Sequence, residues 1–398
     1  SPGAERFRSP ASDDGLPGAG PIRRADWFQR IWSERRAQWA SQAAKDEGAL
    51  VFLGDSITQG WTDVSGSFPG LKIANRGISG DTTRGVLIRL QEDVIALKPR
   101  GVVLLIGTND IEEWASSETI AANVKLILAA LKQHDARMPV VLCQVMPSSL
   151  TKSRPANQIR RLNELYAELV RDQPQVTLLD TWSVFANEQG DAASNEFPDL
   201  LHPNAAGYAK WAAALRPVLE RVGLAPAWPD DFTPEPGFVS LFNGRDLAGW
   251  SGHPASANDA EKVAAERRFS AANGRLVVTN ARTASDERRI ETVRGFAKDF
   301  VVKLEFRAGP NASSAVLVRG VSLPCRDYPV AGPFTSLQRF RRLDWNEIVV
   351  TVRGGLAQAT CNGEVLVDAM PVPADGRIGF ASGRGDVEYR RIRVQETP

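Results

Sequence analysis

Five apolar runs of strand length recur through the first half of the chain, near residues 50 to 54, 71 to 75, 101 to 106, 139 to 145 and 176 to 179, with helix-period segments between them. A short apolar run bounded by turn residues reads as a strand buried on both faces. Parallel strands need a crossover of a dozen or more residues, and an amphipathic helix supplies it. The alternation therefore predicts a parallel sheet with helices on both faces. The clearest helix places Ile159, Leu162, Leu165, Tyr166, Leu169 and Val170 on one side and stops before Pro174. Another precedes the first strand, where Trp27, Phe28, Ile31, Trp32 and Trp39 recur at roughly helical spacing.

After Leu224 this pattern ends. Pro226, Pro229, Pro234 and Pro236 preclude a regular helix and mark residues 224–237 as a linker. From Phe238 onward the apolar segments are short and β-rich, such as Phe300–Phe306 and Asn346–Val352, and they predict an all-β sandwich. Asn362-Gly363 sits where a tight hairpin turn is expected. Residues 1–24 are rich in Gly, Pro, Ser and Asp and are expected to be a disordered or extended lead-in. The expected domains are thus 25–223 and 238–398.

Lys and Arg number 48 against 47 Asp and Glu, so no net field attracts nucleic acid, and no nucleic-acid partner is expected. The apolar stretches fall short of the ~20 residues that span a bilayer, so no transmembrane segment is expected. Residue 1 is Ser rather than Met, and the expectation is a secreted or periplasmic protein read without its signal segment. Cys325 and Cys361 fall in one region and are candidates to pair, whereas Cys143 lies in the apolar run Val140–Val145 and reads as a small buried hydrophobe.

The first strand runs into Gly54-Asp-Ser56, which places the Ser56 hydroxyl beyond the carboxyl end of a strand, where ligands of open parallel sheets bind. Of three histidines, His202 has a carboxylate three residues before it, Asp199, able to accept from the imidazole Nδ1–H and leave Nε2 to take a proton from a serine. His134 stands at a helix end beside charged residues, and His253 lies in the second half without an obvious partner. Acyl transfer also needs donors for the oxygen that becomes negative. The second strand leads to Gly80, whose N–H can approach a ligand closely, and the third to Asn109, whose amide can donate. Each residue also has an ordinary use: Ser56 and Asn109 as helix caps, Gly80 as a turn glycine, His202 as a satisfied loop histidine.

Taken together, Gly-Asp-Ser at Ser56, the glycine at Gly80, Gly-Thr-Asn-Asp at Asn109 and Asp-x-x-His at Asp199 and His202 resemble, in order and spacing, the blocks of the SGNH (GDSL-type) hydrolase superfamily over residues 25 to 222. The segment Gly77–Leu90 resembles the branch of platelet-activating-factor acetylhydrolase-like proteins and bacterial carbohydrate acetylesterases. The resemblance implies a flavodoxin-like three-layer α/β/α domain. It also implies Ser56 as nucleophile, His202 as base and Asp199 as its orienting partner. An oxyanion hole would be formed by the N–H groups of Ser56 and Gly80 with the Asn109 amide, and neither metal nor cofactor is called for.

The second half resembles the concanavalin-like domain associated with 3-keto-glycoside hydrolysis, through Leu241–Trp250, Phe300–Arg307, Asp344-Trp-Asn346, Cys361-Asn-Gly363 and Tyr389–Arg393. Gly309-Pro-Asn-Ala-Ser-Ser and Pro324-Cys-Arg-Asp-Tyr-Pro depart from that family's pattern and weigh against a second hydrolytic centre. Glu305 and Asp344 read as strand-face and turn residues; Trp250 and Trp345 read as core residues or as platforms for a sugar. The expected activity is serine-dependent hydrolysis of O-acyl, foremost O-acetyl, esters on an acylated carbohydrate. The alternatives are a lipid, lysophospholipid or platelet-activating-factor-like esterase, and a glycoside hydrolase or glycan-binding protein acting through the sandwich.

Overall fold

The computed structural model describes residues 3–227, 230–253, 268–279 and 287–397, and the chain divides into two compact units, Ser1–Pro226 and Ala227–Pro398. In unit 1, β1 (Leu50–Gly54), β2 (Ile73–Gly77), β3 (Gly101–Leu105), β4 (Val140–Cys143) and β5 (Val176–Leu179) form one parallel sheet in the order β2-β1-β3-β4-β5. The connecting helices are α1 (Asp26–Asp46), α2 (Ser56–Gln59), α3 (Val64–Ser67), α4 (Thr83–Asp93), α5 (Thr108–Glu112), α6 (Ser117–His134), α7 (Ala156–Val170), α8 (Thr181–Phe185) and α9 (Ala205–Arg221).

Successive strand residues point to opposite faces, which is why the runs are apolar throughout. Val51, Leu53, Val102, Leu104, Val140 and Leu142 share one core with Val86 of α4, Ile120, Val124 and Ile127 of α6 and Leu162 of α7. On the other face Phe52 packs edge-on against Trp61, with ring centroids 5.6 Å apart, and Trp61 lies 4.6 Å from Trp211 of α9. The expected α/β/α domain is what forms. Its strand order reverses direction between β1 and β3, and the crevice of such a sheet opens beyond the carboxyl ends of those two strands.

Unit 1 offers the lead-in buried partners that composition cannot reveal. Arg84 of α4 donates to the carbonyls of Pro17 and Gly20 and pairs with Asp13 at 2.7 Å. Asn123 of α6 exchanges two hydrogen bonds with the Ala19 backbone, and the Thr82 hydroxyl donates to Pro21 O. The segment is irregular, yet its backbone polar groups are met by side chains.

Unit 2 holds β6 (Val239–Ser240), β7 (Trp250–His253), β8 (Phe269–Ala272), β9 (Arg275–Val278), β10 (Arg289–Thr292), β11 (Phe300–Ala308), β12 (Ser313–Val318), β13 (Val321–Arg326), β14 (Asn346–Arg353), β15 (Leu356–Cys361), β16 (Glu364–Pro371), β17 (Ile378–Ala381) and β18 (Val387–Glu396). They form two antiparallel sheets, β13-β12-β17-β10-β7 and β16-β15-β14-β11-β18-β9-β8, with β6 beside β18. Along β11, Phe300, Val302, Leu304 and Phe306 are buried, while Lys303, Glu305 and Arg307 alternate outward, the pattern of a sandwich strand. The expected hairpin joins β15 to β16, with Cys361 opposite Glu364 and positive φ at both Asn362 and Gly363.

The Pro-rich stretch is divided between the units. Leu224 is buried in unit 1, whereas Asp230 pairs with Arg391 and Glu235 with Arg393 and Lys303, so that residues 230–238 lie on the larger sheet of unit 2. Pro229 falls outside the described residues. Cys325 and Cys361 do not pair: both are free and buried, as is Cys143, and burial pushes the Cys143 and Cys361 thiols up to about 12. Thiols so protected are unreactive packing groups. Trp250 is a core residue stacked on Phe380, its indole N–H donating to Leu241 O. Trp345 is covered by the guanidinium groups of Arg390, Arg307 and Arg275 at 4.1, 4.8 and 5.5 Å, which leaves no open ring face of a sugar platform.

Candidate active site

β1 ends at Gly54, where a side chain would meet Leu105 O at 2.3 Å and Thr58 Oγ1 at 2.4 Å, so only glycine allows α2 to start this close to β3. Asp55 then caps α2, its Oδ1 accepting from Ile57 N–H at 2.9 Å. Ser56 is the first helical residue, and its own N–H has no intrahelical acceptor. Strand, cap and helix start thus leave both the hydroxyl and the amide of Ser56 available at the sheet edge.

The structure brings His202 and Asp199 to this hydroxyl. His202 Nε2 lies 2.9 Å from Ser56 Oγ, and His202 Nδ1 lies 2.6 Å from Asp199 Oδ2. A carboxylate only accepts, so Nδ1 carries the ring proton and Nε2 accepts from the serine hydroxyl. Asp199 Oδ1 also accepts from the backbone N–H groups of Leu201 and His202 at 3.0 and 2.7 Å. Partial burial pushes the Asp199 carboxyl up, but the His202 ring and these two N–H groups outweigh it and hold it down at about 2. The loop is fixed from below: Ser148 Oγ donates to Leu200 O, and Asn204 caps α9 by accepting from Gly207 N–H. From α9, Tyr208 OH donates to Ile57 O at 2.7 Å, tying the histidine loop to the helix that carries Ser56.

β2 leads into a turn closed by Asp81 N–H donating to Ile78 O at 3.0 Å. Gly80 occupies its third position with φ +84°, the conformation a type II turn demands there, and the bond that closes the turn leaves the Gly80 N–H unused. A Cβ on Gly80 would lie 2.5 Å from the Trp27 ring of α1. Asn109 of α5 reaches the same turn, its Nδ2 donating to Asp81 O at 2.9 Å. Gly80 and Asn109 therefore converge, and Ser79 N–H, bonded to Gln59 Oε1 at 2.7 Å, joins their turn to α2.

Three residues around the site were not singled out by the sequence reading as site residues. Arg154, after β4, is buried and donates to Asn109 Oδ1 at 2.8 Å; an Arg before a Pro carries no pattern that marks it. Asp110, part of Gly-Thr-Asn-Asp, accepts from Thr83 N–H and Oγ1 at the start of α4, and burial pushes its carboxyl up to about 7. Trp27 was visible only as a helix-face residue, yet its half-exposed ring stands against Gly80. His134 ends α6 and His253 ends β7 of unit 2. Among the described residues no group of three or more His, Cys, Asp or Glu gathers as a metal cage, and no helix is long and apolar enough to cross a membrane.

A hydroxyl bonded to an imidazole that is oriented by a carboxylate can pass its proton to the ring while attacking a carbonyl carbon. Comparison with known proteins agrees with a hydrolase. Residues 52–210 match the model of the GDSL-like lipase/acylhydrolase family, and residues 237–337 match that of the 3-keto-alpha-glucoside-1,2-lyase-like domain. The platelet-activating factor acetylhydrolase IB subunit alpha1 of Bos taurus is 26% identical over 198 residues, which cover 48% of this chain and 83% of that protein. Its alpha2 counterpart in Homo sapiens is 28% identical over 187 residues, 45% of this chain and 79% of the relative. A solved GDSL-like lipase from Bacteroides thetaiotaomicron aligns over 47% of this chain and 97% of its own at 26% identity and a TM-score of 0.41. Unit 1 accordingly carries a GDSL-like lipase/acylhydrolase domain with homologues among the platelet-activating factor acetylhydrolases, and unit 2 a 3-keto-alpha-glucoside-1,2-lyase-like domain.

Proposed function

We propose that unit 1 is a serine esterase that removes acetyl groups from an acylated carbohydrate, and that unit 2 helps hold that carbohydrate. The observation that carries the esterase reading is the continuous hydrogen-bonded chain from Ser56 Oγ through the His202 ring to Asp199. As Ser56 Oγ attacks the acyl carbonyl carbon, its proton passes to His202 Nε2, and Asp199 stabilises the resulting imidazolium. Charge developing on the carbonyl oxygen is met by the N–H groups of Ser56 and Gly80 and by the Asn109 amide. Collapse of the tetrahedral intermediate breaks the ester C–O bond, and the departing alcohol takes the proton from Nε2. Water then releases the acyl group from Ser56 by the same relay in reverse.

The acetyl preference is supported by relatives named as acetylhydrolases, and the carbohydrate by a partner unit whose family is named for a glucoside. The same relatives favour a second reading, a platelet-activating-factor-like ester as substrate. The two separate on a panel of acetylated polysaccharides, acetylated lipid ethers and nitrophenyl esters of increasing acyl length, assayed with the full chain and with Ser56→Ala. Ser56-dependent acetate release from polysaccharide, falling with acyl length on the synthetic esters, is the expected result. Release from the lipid alone would replace the first reading by the second, and activity surviving in Ser56→Ala would overturn both.

A further inference from the structure

A carboxamide can stabilise an oxyanion only with its nitrogen, so something must fix which end of Asn109 faces the reacting carbonyl. The Arg154 guanidinium, 2% exposed, lies along the back of that side chain. Its Nε donates to Thr108 O and Oγ1 at 3.1 and 3.0 Å, and its Nη1 to Lys152 O at 2.7 Å. Its Nη2 reaches Asn109 Oδ1 at 2.8 Å and Glu112 Oε2 at 3.1 Å. A guanidinium has no acceptor, which leaves Oδ1 as the only end of the amide able to face it. On the far side, one Nδ2–H is committed to Asp81 O. Arginine and carbonyl thus grip the amide at both ends and leave one N–H over.

We propose that Arg154 is a positioning residue for ester hydrolysis, holding the Asn109 carboxamide so that its remaining N–H meets the oxyanion and polarising that N–H from behind. The proposal rests on the oxyanion role assigned to Asn109 above. A cation hydrogen-bonded to the amide oxygen draws electron density from the nitrogen and makes its N–H a stronger donor. Because the site is filled before substrate arrives, no reorganisation is needed as charge builds. Glu112, which Arg154 shares with Arg23, ties the same clamp to the lead-in, and the Arg23 guanidinium stands 5.7 Å from the Trp27 ring that backs Gly80. One ionic chain therefore braces both of the loops that converge on the reacting oxygen. Lysine cannot replace it, since a single ammonium does not present the fork that reaches Thr108, Lys152 and Asn109 together.

The test uses the full chain, nitrophenyl acetate as substrate, and Arg154→Lys, Arg154→Met, Asn109→Ala and the double variant Arg154→Lys/Asn109→Ala. Each Arg154 variant is expected to lose about ten- to hundredfold in kcat with little change in KM, as a misplaced donor does. The double variant is expected to be no slower than Asn109→Ala alone, a non-additivity that a merely structural role does not produce. Thermal unfolding of each variant checks the fold; if the Met variant is lost, Arg154→Lys, which keeps the charge, decides. Wild-type kcat in the Arg154 variants beside a slowed Asn109→Ala, or losses that multiply in the double variant, would overturn the proposal. Wild-type kcat in Asn109→Ala itself would overturn the oxyanion reading beneath it.

Discussion

The two units handle their polar side chains in opposite ways. On the large sheet of unit 2, charges are paired off: Arg390 with Glu305 at 2.6 Å, Arg393 with Glu235 at 2.6 Å, Arg307 with Glu388 at 2.6 Å and Arg391 with Asp230 at 3.0 Å. At the sheet edge of unit 1, Ser56, His202 and Asp199 form a hydrogen-bonded chain that ends in a hydroxyl. The lesson is that density of charge does not mark a reaction centre. A closed pair of opposite charges is spent on packing, while a directed chain ending in a hydroxyl is the arrangement that the proposed ester hydrolysis would use.

That contrast breaks most visibly at its two extremes. Ser56→Ala should cut hydrolysis of nitrophenyl acetate by roughly 10⁴-fold or more, whereas Glu305→Gln, in a closed pair of the other unit, should leave the rate as it was; equal losses would erase the distinction. Next in size, Asp199→Asn should slow turnover about 10²- to 10⁴-fold by admitting the wrong imidazole tautomer. The wild-type pH profile sharpens this point. Because the Asp199 carboxyl is held at about 2, it stays charged throughout the useful range, so any fall in rate between about pH 8 and pH 5 is expected to come from a group other than this carboxylate. A rate that is flat over that interval would contradict a histidine base.

Smaller, and specific to the geometry, Gly80→Ala should lower kcat about ten- to hundredfold, and adding Trp27→Ala should restore part of it by removing the ring that the new Cβ strikes. Full independence of the two substitutions would mean that the turn, not the tryptophan, sets the position of the N–H. Smallest of all, Glu235→Gln should cost unit 2 about 1–3 kcal/mol in denaturant unfolding with no change in esterase rate. The lower end is favoured because Glu235 is well exposed and the buried Arg393 keeps Glu347 at 3.7 Å.

Much of this was legible in the sequence because the relevant signals are local. Apolar runs gave the five strands of unit 1, and Asp199 three residues before His202 gave the pair, since a loop of that span lets one carboxylate reach both the ring and two backbone N–H groups. Asn362-Gly363 gave its hairpin for the same reason. What could not be read was set by partners distant in the chain. The lead-in is ordered by Arg84 and Asn123, and Asn109 is held by an arginine 45 residues away, contacts that no periodicity encodes. The cysteines misled in the same way: Cys325 and Cys361 share a region of sequence, but nearness there says nothing of whether their sulfurs bond.

The residues from 230 to 238 carry a practical consequence for anyone who wishes to make the second unit alone. Composition marks them as dispensable connector, and a fragment begun at Phe238 would look tidy. Such a fragment would be born without Asp230 and Glu235, leaving Arg391 to Glu305 and Arg393 to the more distant Glu347, with Phe232 gone from beneath both guanidinium groups. A recombinant piece beginning at Ala227 keeps these contacts.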